Sequence, residues 1–429
     1  MLRKTFQKWC VGGLLCIAAA SLQAQTAETA DRETKWQQDI QVFVDTLSAP
    51  GQTKDLKRGI ISRGQKDFSK LYPPVTFDAA IASLKADIPK ISDDEISLRL
   101  MELVASAHVA HNGVTSPGKD FDPHLPLRFY WYTDGLAVDA ASQEYADALG
   151  ARVVKIGDDT PEQLLAKFAP YINYENDSWL RFRVTQYLRE EAVLRHFELI
   201  GPDGRVAITL EKPGQLPFTV SVGLADSMPT LIGLARGLHL PTPLYWSHPK
   251  QYYWYQYMED SQTLYIQYTQ CENDPKLSFK DFTEQVLAEA DAHPVKRVVI
   301  DLRFNGGGKS WVIDPLMSGL ASRAKSIGHP YVLIGPGTFS SALLNAIDLH
   351  EKLKATLVGE PTGGSLNIYG EVGYFVLPNS KIVINYTTKY FEKKNAAPTA
   401  LKPDILAPHT LVDDLAGRDA ALEAAIAAP

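Results

Sequence analysis

The sequence predicts an α/β protein in which a helical N-terminal region and a middle β-rich region precede a layered domain of strands alternating with helices. Three observations carry this reading. Apolar residues recur at spacings of three and four from Glu33 to about residue 105, the period shortens to two from Leu125, and short apolar runs alternate with helical stretches after residue 241.

The chain opens with Arg3, Lys4 and Lys8, continues through the apolar segment Val11 to Ala20 and reaches Leu22-Gln23-Ala24. A basic stretch, an apolar core too short to span a bilayer and a small residue at its end predict a signal peptide over 1–24. Cys10 and Cys16 leave with it, so the mature chain keeps only Cys271 and no internal disulfide is expected. The formal charge of -7 falls to -10 once the three leading cations are removed, and no basic run compensates. That excludes a nucleic-acid partner and argues against an anionic membrane surface. A periplasmic or secreted globular protein follows, with no membrane insertion after cleavage.

The first region, 25–115, reads as helical. Trp36, Ile40, Phe43 and Leu47 line one face, with Phe68, Leu71 and Phe77 following. Ser92 and Glu95 have the form of a capping box ahead of Ile96, Leu100, Leu103 and Val104. The region ends at Val109-Ala110-His111-Asn112-Gly113. In the middle region, 116–240, Leu127–Tyr132 and Gly135–Asp139 predict a hairpin around Asp134-Gly135. Ala151–Ile156, Phe197–Ile200 and Arg205–Leu210 predict further strands, and Pro161–Leu165 a helix. Pro241, Pro243 and Pro249 mark the connection to the last domain, 241–429.

In that domain, strands are expected at Leu264–Tyr268, Val298–Arg303, Tyr331–Ile334 and Ala355–Val358, with helices from Phe279 to Ala290, through Trp311 and Leu316, and from Ser341 to Leu353. Phe375–Leu377 and Lys381–Tyr386 predict a hairpin, and Asp413–Ile426 a C-terminal helix. Tyr252–Tyr257 suits a sheet packed on one face better than a pocket lining. The strand 298–303 runs into Phe304-Asn305-Gly306-Gly307-Gly308, a turn whose glycines let backbone amides face a ligand. A phosphate cradle is disfavoured because Gly308-Lys309-Ser310 lacks the spacing of a Walker loop. An oxyanion hole fits better, since the next strand ends in Gly335-Pro336-Gly337-Thr338-Phe339-Ser340-Ser341.

These motifs resemble those of the S41 peptidases, the group containing C-terminal processing and tricorn core proteases. The carriers of the resemblance are Asp301–Gly308, Thr338-Phe339-Ser340-Ser341-Ala342 and Gly359-Glu360-Pro361-Thr362-Gly363-Gly364, in family order and over about the final 180 residues. The resemblance implies a ClpP/crotonase-like core, and a middle region that is either a diverged PDZ-like module or an unrelated insertion. It implies Ser340 as nucleophile rather than Ser341, because Gly359 and Glu360 then fall in family register.

The processing proteases pair this serine with a lysine, and here that position is Ser365. The tricorn-like branch uses a histidine from before the core, which corresponds to His111. His108, three residues earlier, could share a face with it, but no His-Glu-x-x-His pattern is present and no metal or organic cofactor is expected. The orienting acid corresponds to Glu392, with Glu360 and Glu371 as alternatives, and Gly306, Gly307 and Ser341 are the expected oxyanion donors. The implied activity is that of an exported serine-type peptidase acting on a peptide or protein through an acyl-enzyme. A non-catalytic binding protein for peptides or lipophilic ligands, and a serine esterase, are the alternatives.

Overall fold

In a computed structural model of the chain, the described residues are 29–47, 74–115, 124–225, 227, 230–391, 397 and 399–429. The expected signal peptide, Phe68, Leu71 and Glu392 lie outside them. The chain forms two compact units, one of Met1–Ala107, Asn112–Pro117 and Val372–Lys389, the other of His108–His111, Gly118–Glu371 and Tyr390–Pro429.

The first unit is built on helical periodicity. A helix over 29–47 buries Trp36, Ile40, Phe43 and Leu47 in one core with residues of helices Pro74–Asp87 and Asp93–Ala105. The last of these starts where expected, with Ser92 Oγ accepting from Glu95 N at 3.1 Å. Leu377, Ile382 and Ile384 of the hairpin join the same core. The hairpin turn is held by Asp39, whose buried carboxylate accepts from Asn379 N at 2.8 Å and Ser380 N at 2.7 Å. Its strands, Ile368–Val376 and Val383–Phe391, are longer than the sequence pattern indicates. Val372, Tyr374 and Val376 are exposed there, so apolarity and burial part company.

The second unit carries a six-stranded sheet in the order Ile405–Leu406, Thr356–Gly359, His329–Ile334, Arg297–Asp301, Thr263–Tyr268 and Tyr253–Met258. All neighbours are parallel except the final pair. Both faces are covered, which is why the strands read as unbroken apolar runs. Val298, Ile300, Val332 and Ile334 face the helices Phe279–Ala292, Asp314–Ser322 and Ser341–Leu353. Val299, Tyr331 and Leu333 face the C-terminal helix Ala420–Ala427. A separate antiparallel sheet runs Leu127–Tyr132, Gly135–Ala141, Arg152–Ile156, Arg205–Glu211 and Phe218–Gly223.

Two expected elements differ. Phe197–Ile200 is not a strand, because helix Glu191–His196 ends into it and Glu198 takes a positive φ of 55° while Leu199 N returns to Leu194 O at 2.8 Å. The C-terminal helix is split into Leu411–Leu415 and Ala420–Ala427. Gly417 turns left-handed, with φ 69°, and Asp419 restarts the helix by accepting from Leu422 N at 3.1 Å.

Candidate active site

The glycine turn and the serine turn are clamped by buried polar groups from the strands that carry them. Arg303 is bidentate to Asp301 and also holds Asp419, with contacts of 2.6 to 3.2 Å. Burial would lower its pKa, but the two carboxylates outweigh that and keep the guanidinium well above its ordinary value. Asn305 donates to Tyr268 O at 2.9 Å and accepts from Gly307 N at 2.9 Å. Thr338 is fully buried, donating to Leu302 O at 2.8 Å and accepting from Gly335 N at 3.0 Å. These bonds tie the ends of two adjacent parallel strands together.

Ser340 lies at the entry to helix Ser341–Leu353 with φ 52° and ψ -124°, a conformation that L-residues adopt only at a cost. No hydrogen bond engages its hydroxyl among the described residues. Its neighbour differs: Ser341 Oγ donates to Gly308 O at 2.6 Å. Gly307 is pressed against both. A Cβ at that position would lie 2.7 Å from Ser340 Cβ and 2.9 Å from Ser341 N, and its φ of +106° disfavours any side chain. The N–H of Gly307 is taken up by Asn305, whereas those of Gly306 and Ser341 carry no hydrogen bond among the described residues. Gly306 is exposed and Ser341 opens its helix, so both amides are available to an anion.

The His111 ring packs on Phe339, the residue before Ser340, at 4.4 Å between ring centroids and with the planes tilted by 31°. Phe339 is stacked on its other neighbour, Trp179, at 3.9 Å. No hydrogen bond joins His111 to Ser340. Both ring nitrogens of His111 are buried and unpartnered, although part of the side chain is exposed. Burial pushes its pKa down to about 4, and the Tyr369 backbone only partly opposes this. The ring is therefore neutral at pH 7 and able to accept a proton. His108 stands apart, edge-on to Tyr174 at 5.7 Å.

Glu360 Oε1 accepts from Thr133 Oγ1 at 2.5 Å, beside a cavity of about 230 Å³ bordered by Tyr130, Phe182, Pro336 and Pro361. Ser365, where a dyad lysine would stand, is buried and accepts from Asn176 Nδ2 at 2.7 Å. Gly363 explains the last motif's glycine. A Cβ there would strike the Pro336 carbonyl and lie 2.6 Å from Trp179 Cε3, so the third motif can approach the Trp179–Phe339 stack only without a side chain. Neither Trp179 nor Glu175 stood out in the sequence. The one local signal was Asn176, an N-cap type ahead of the helix Asp177–Tyr187.

No protein-family model matches the chain and no curated protein matches it. Solved structures do. Mature CPAF complexed with lactacystin aligns over 90% of this chain and 96% of its own, at TM-score 0.64 and 12% identity. A serine-to-alanine mutant of CPAF aligns over 90% and 95%, at TM-score 0.61 and 12% identity. The chain has the CPAF/S41 protease fold. The resemblance to S41 peptidases read from three short motifs thus extends over nearly the whole chain at the level of fold. The expected ClpP/crotonase-like core is corrected by the same finding: the likeness is to the CPAF/S41 fold taken whole. The physical reason is that strand–turn–helix units with glycine turns specify a parallel crossover sheet, and many α/β folds share that local pattern.

Proposed function

We propose that the protein is an exported serine-type peptidase that cleaves peptide bonds through an acyl-enzyme, with Ser340 as nucleophile and His111 as general base. The observation that carries this is Ser340 itself: a backbone held in a costly conformation presents an unengaged hydroxyl ahead of the unengaged amide of Ser341 and against Gly307, whose preceding residue, Gly306, carries a second unengaged amide. His111, neutral and desolvated on the adjacent Phe339, supports the role of base, and substrate binding would bring the two groups within hydrogen-bond reach. Of the carboxylates considered for orientation, Glu360 is occupied by Thr133. The export reading rests on the segment 1–24. Among the described residues no helix is long and apolar enough to cross a membrane.

A fluorophosphonate probe followed by peptide mapping tests this directly, with lactacystin as a second probe because mature CPAF has been solved in complex with it. Labelling at Ser340 that vanishes in S340A and falls sharply in H111A is the expected result. A folded protein that leaves the probe unreacted would instead be a binding module on this fold. Comparing ester and peptide substrates of the labelled enzyme separates an esterase from a peptidase.

A further inference from the structure

Polar atoms left without partners in a protein interior are few, and each calls for a reason. Four of them belong to residues joined through Phe339 and Ala110: both ring nitrogens of His111, Trp179 Nε1 and Glu175 Oε2. Glu175 supplies the only carboxyl among the four. Its other oxygen, Oε1, accepts from Ala110 N at 3.1 Å, the amide immediately before His111. Ala110 itself packs in one cluster with Trp179 and Phe339.

The position of Glu175 is set from both sides. The next residue, Asn176, caps the helix through Trp179 N at 3.0 Å and donates to Gly363 O at 2.9 Å and Ser365 Oγ at 2.7 Å. The carboxyl is thus fixed between the third glycine motif and the turn that bears His111, with one oxygen engaged and one free. A buried carboxyl with a free oxygen costs stability and contributes no packing that an apolar residue would not.

We propose that Glu175 is the positioning acid of the site: it holds the backbone N–H of Ala110, one residue before His111, and, as a carboxylate, offsets the positive charge that His111 gains from Ser340. This rests on the reading of Ser340 and His111 given above. In the step concerned the Ser340 Oγ–H bond breaks, its proton passes to a ring nitrogen of His111, the Oγ electron pair forms the bond to the acyl carbon, and the carbonyl π pair moves to its oxygen to give the tetrahedral oxyanion. Glu175 remains deprotonated throughout. An imidazolium forming in a desolvated pocket is costly without an anion nearby, and Glu175 is the carboxyl that this neighbourhood supplies.

Burial pushes the Glu175 carboxyl up to about 7, and the Ala110 amide pulls it part of the way back. The other ionisable groups around it are His108 and His111 on the adjoining turn, Tyr174 and Asp177 beside it in sequence, Arg183 over the Trp179 ring, and Tyr369 at the His111 ring. None of them forms an ion pair with Glu175 among the described residues.

The test is the rate of fluorophosphonate labelling at Ser340 from pH 5 to 9 in the full chain and in E175Q, E175D and H111A. The unaltered protein should label faster as pH rises through about 7, where Glu175 ionises. E175Q keeps an acceptor for Ala110 N but should lose that rise and label roughly tenfold slower or worse at pH 8. E175D should recover the rise without the full rate. An E175Q variant with the rate and pH profile of the unaltered protein overturns the inference while leaving the Ser340–His111 reading intact. Absence of labelling in the unaltered protein defeats that reading first.

Discussion

The hydroxyl of Ser341 donates to the Gly308 carbonyl at 2.6 Å, while the hydroxyl of Ser340, one residue earlier, is bound to nothing among the described residues. One of two adjacent serines is engaged with the backbone and the other is not. Ser341→Ala should therefore cost about 1 kcal/mol of stability and still label with a fluorophosphonate. Ser340→Gly should abolish labelling and raise stability by about 1 kcal/mol, because glycine tolerates the φ of 52°. Denaturant titration alongside labelling reads both effects, and a Ser341→Ala protein that no longer labels would reverse the assignment.

Gly307 admits no side chain. In Gly307→Ala the new methyl would meet Ser340 Cβ and Ser341 N at 2.7 and 2.9 Å with φ at +106°. The serine turn must shift, and labelling should fall by about a hundredfold or more through displaced oxyanion donors. Gly306→Ala, with nothing within 4 Å of its Cβ, should keep the fold and most of the rate. Equal losses in the two variants would contradict the close approach.

Arg303 is the buried cation on which the turn depends. Arg303→Met leaves Asp301 and Asp419 without their common partner, and the expected loss is about 3 to 5 kcal/mol. Because Asp419 also caps the helix Ala420–Ala427, amide exchange in that helix should accelerate. A loss below 1 kcal/mol would mean that the network adds little beyond its packing.

Two buried groups make stability depend on pH in opposite senses. His111 has its pKa lowered from 6.5 to about 4, so the unfolded chain binds the extra proton. Stability falls as pH drops below 6.5, and the penalty reaches about 3 kcal/mol below pH 4. Glu175 has its pKa raised from 4.5 to about 7, so the folded chain binds the extra proton. Stability falls as pH rises above 4.5, with a penalty of about 3 kcal/mol above pH 7. His111→Gln should remove the acid-side loss and E175Q the alkaline-side loss. Urea titrations at pH 4, 6 and 8 check both, and a change confined to the wrong side would refute the burial of the group concerned.

Much of the second unit was legible because its strands are buried on both faces. Val298–Ile300 and Tyr331–Ile334 are unbroken apolar runs, and the glycines that follow them mark where backbone must approach backbone. Ser92 announced its helix because an N-cap acts within four residues. The hairpin strands Ile368–Val376 and Val383–Phe391 were read too short, since exposed Val372 and Tyr374 break the link between apolarity and burial. The broken C-terminal helix was missed because Asp419 is needed twice, by Leu422 N and by Arg303, which lies 116 positions away.

By itself, then, the sequence determined the layered α/β arrangement, the order of the three glycine-bearing motifs and the candidacy of Ser340 and His111. The first two follow from periodicity, turn chemistry and spacing, which act over a few residues, and the candidacy of Ser340 and His111 follows from the resemblance of those motifs to the S41 peptidases. Tertiary structure alone decided that Ser341 is committed to Gly308, that Gly307 gives its N–H to Asn305, and that Glu175 accepts from the N–H of Ala110, one residue before His111. It also decided that the fold as a whole is that of CPAF and the S41 proteases. Those facts depend on which buried donor meets which acceptor, and such pairings join residues that no local pattern relates.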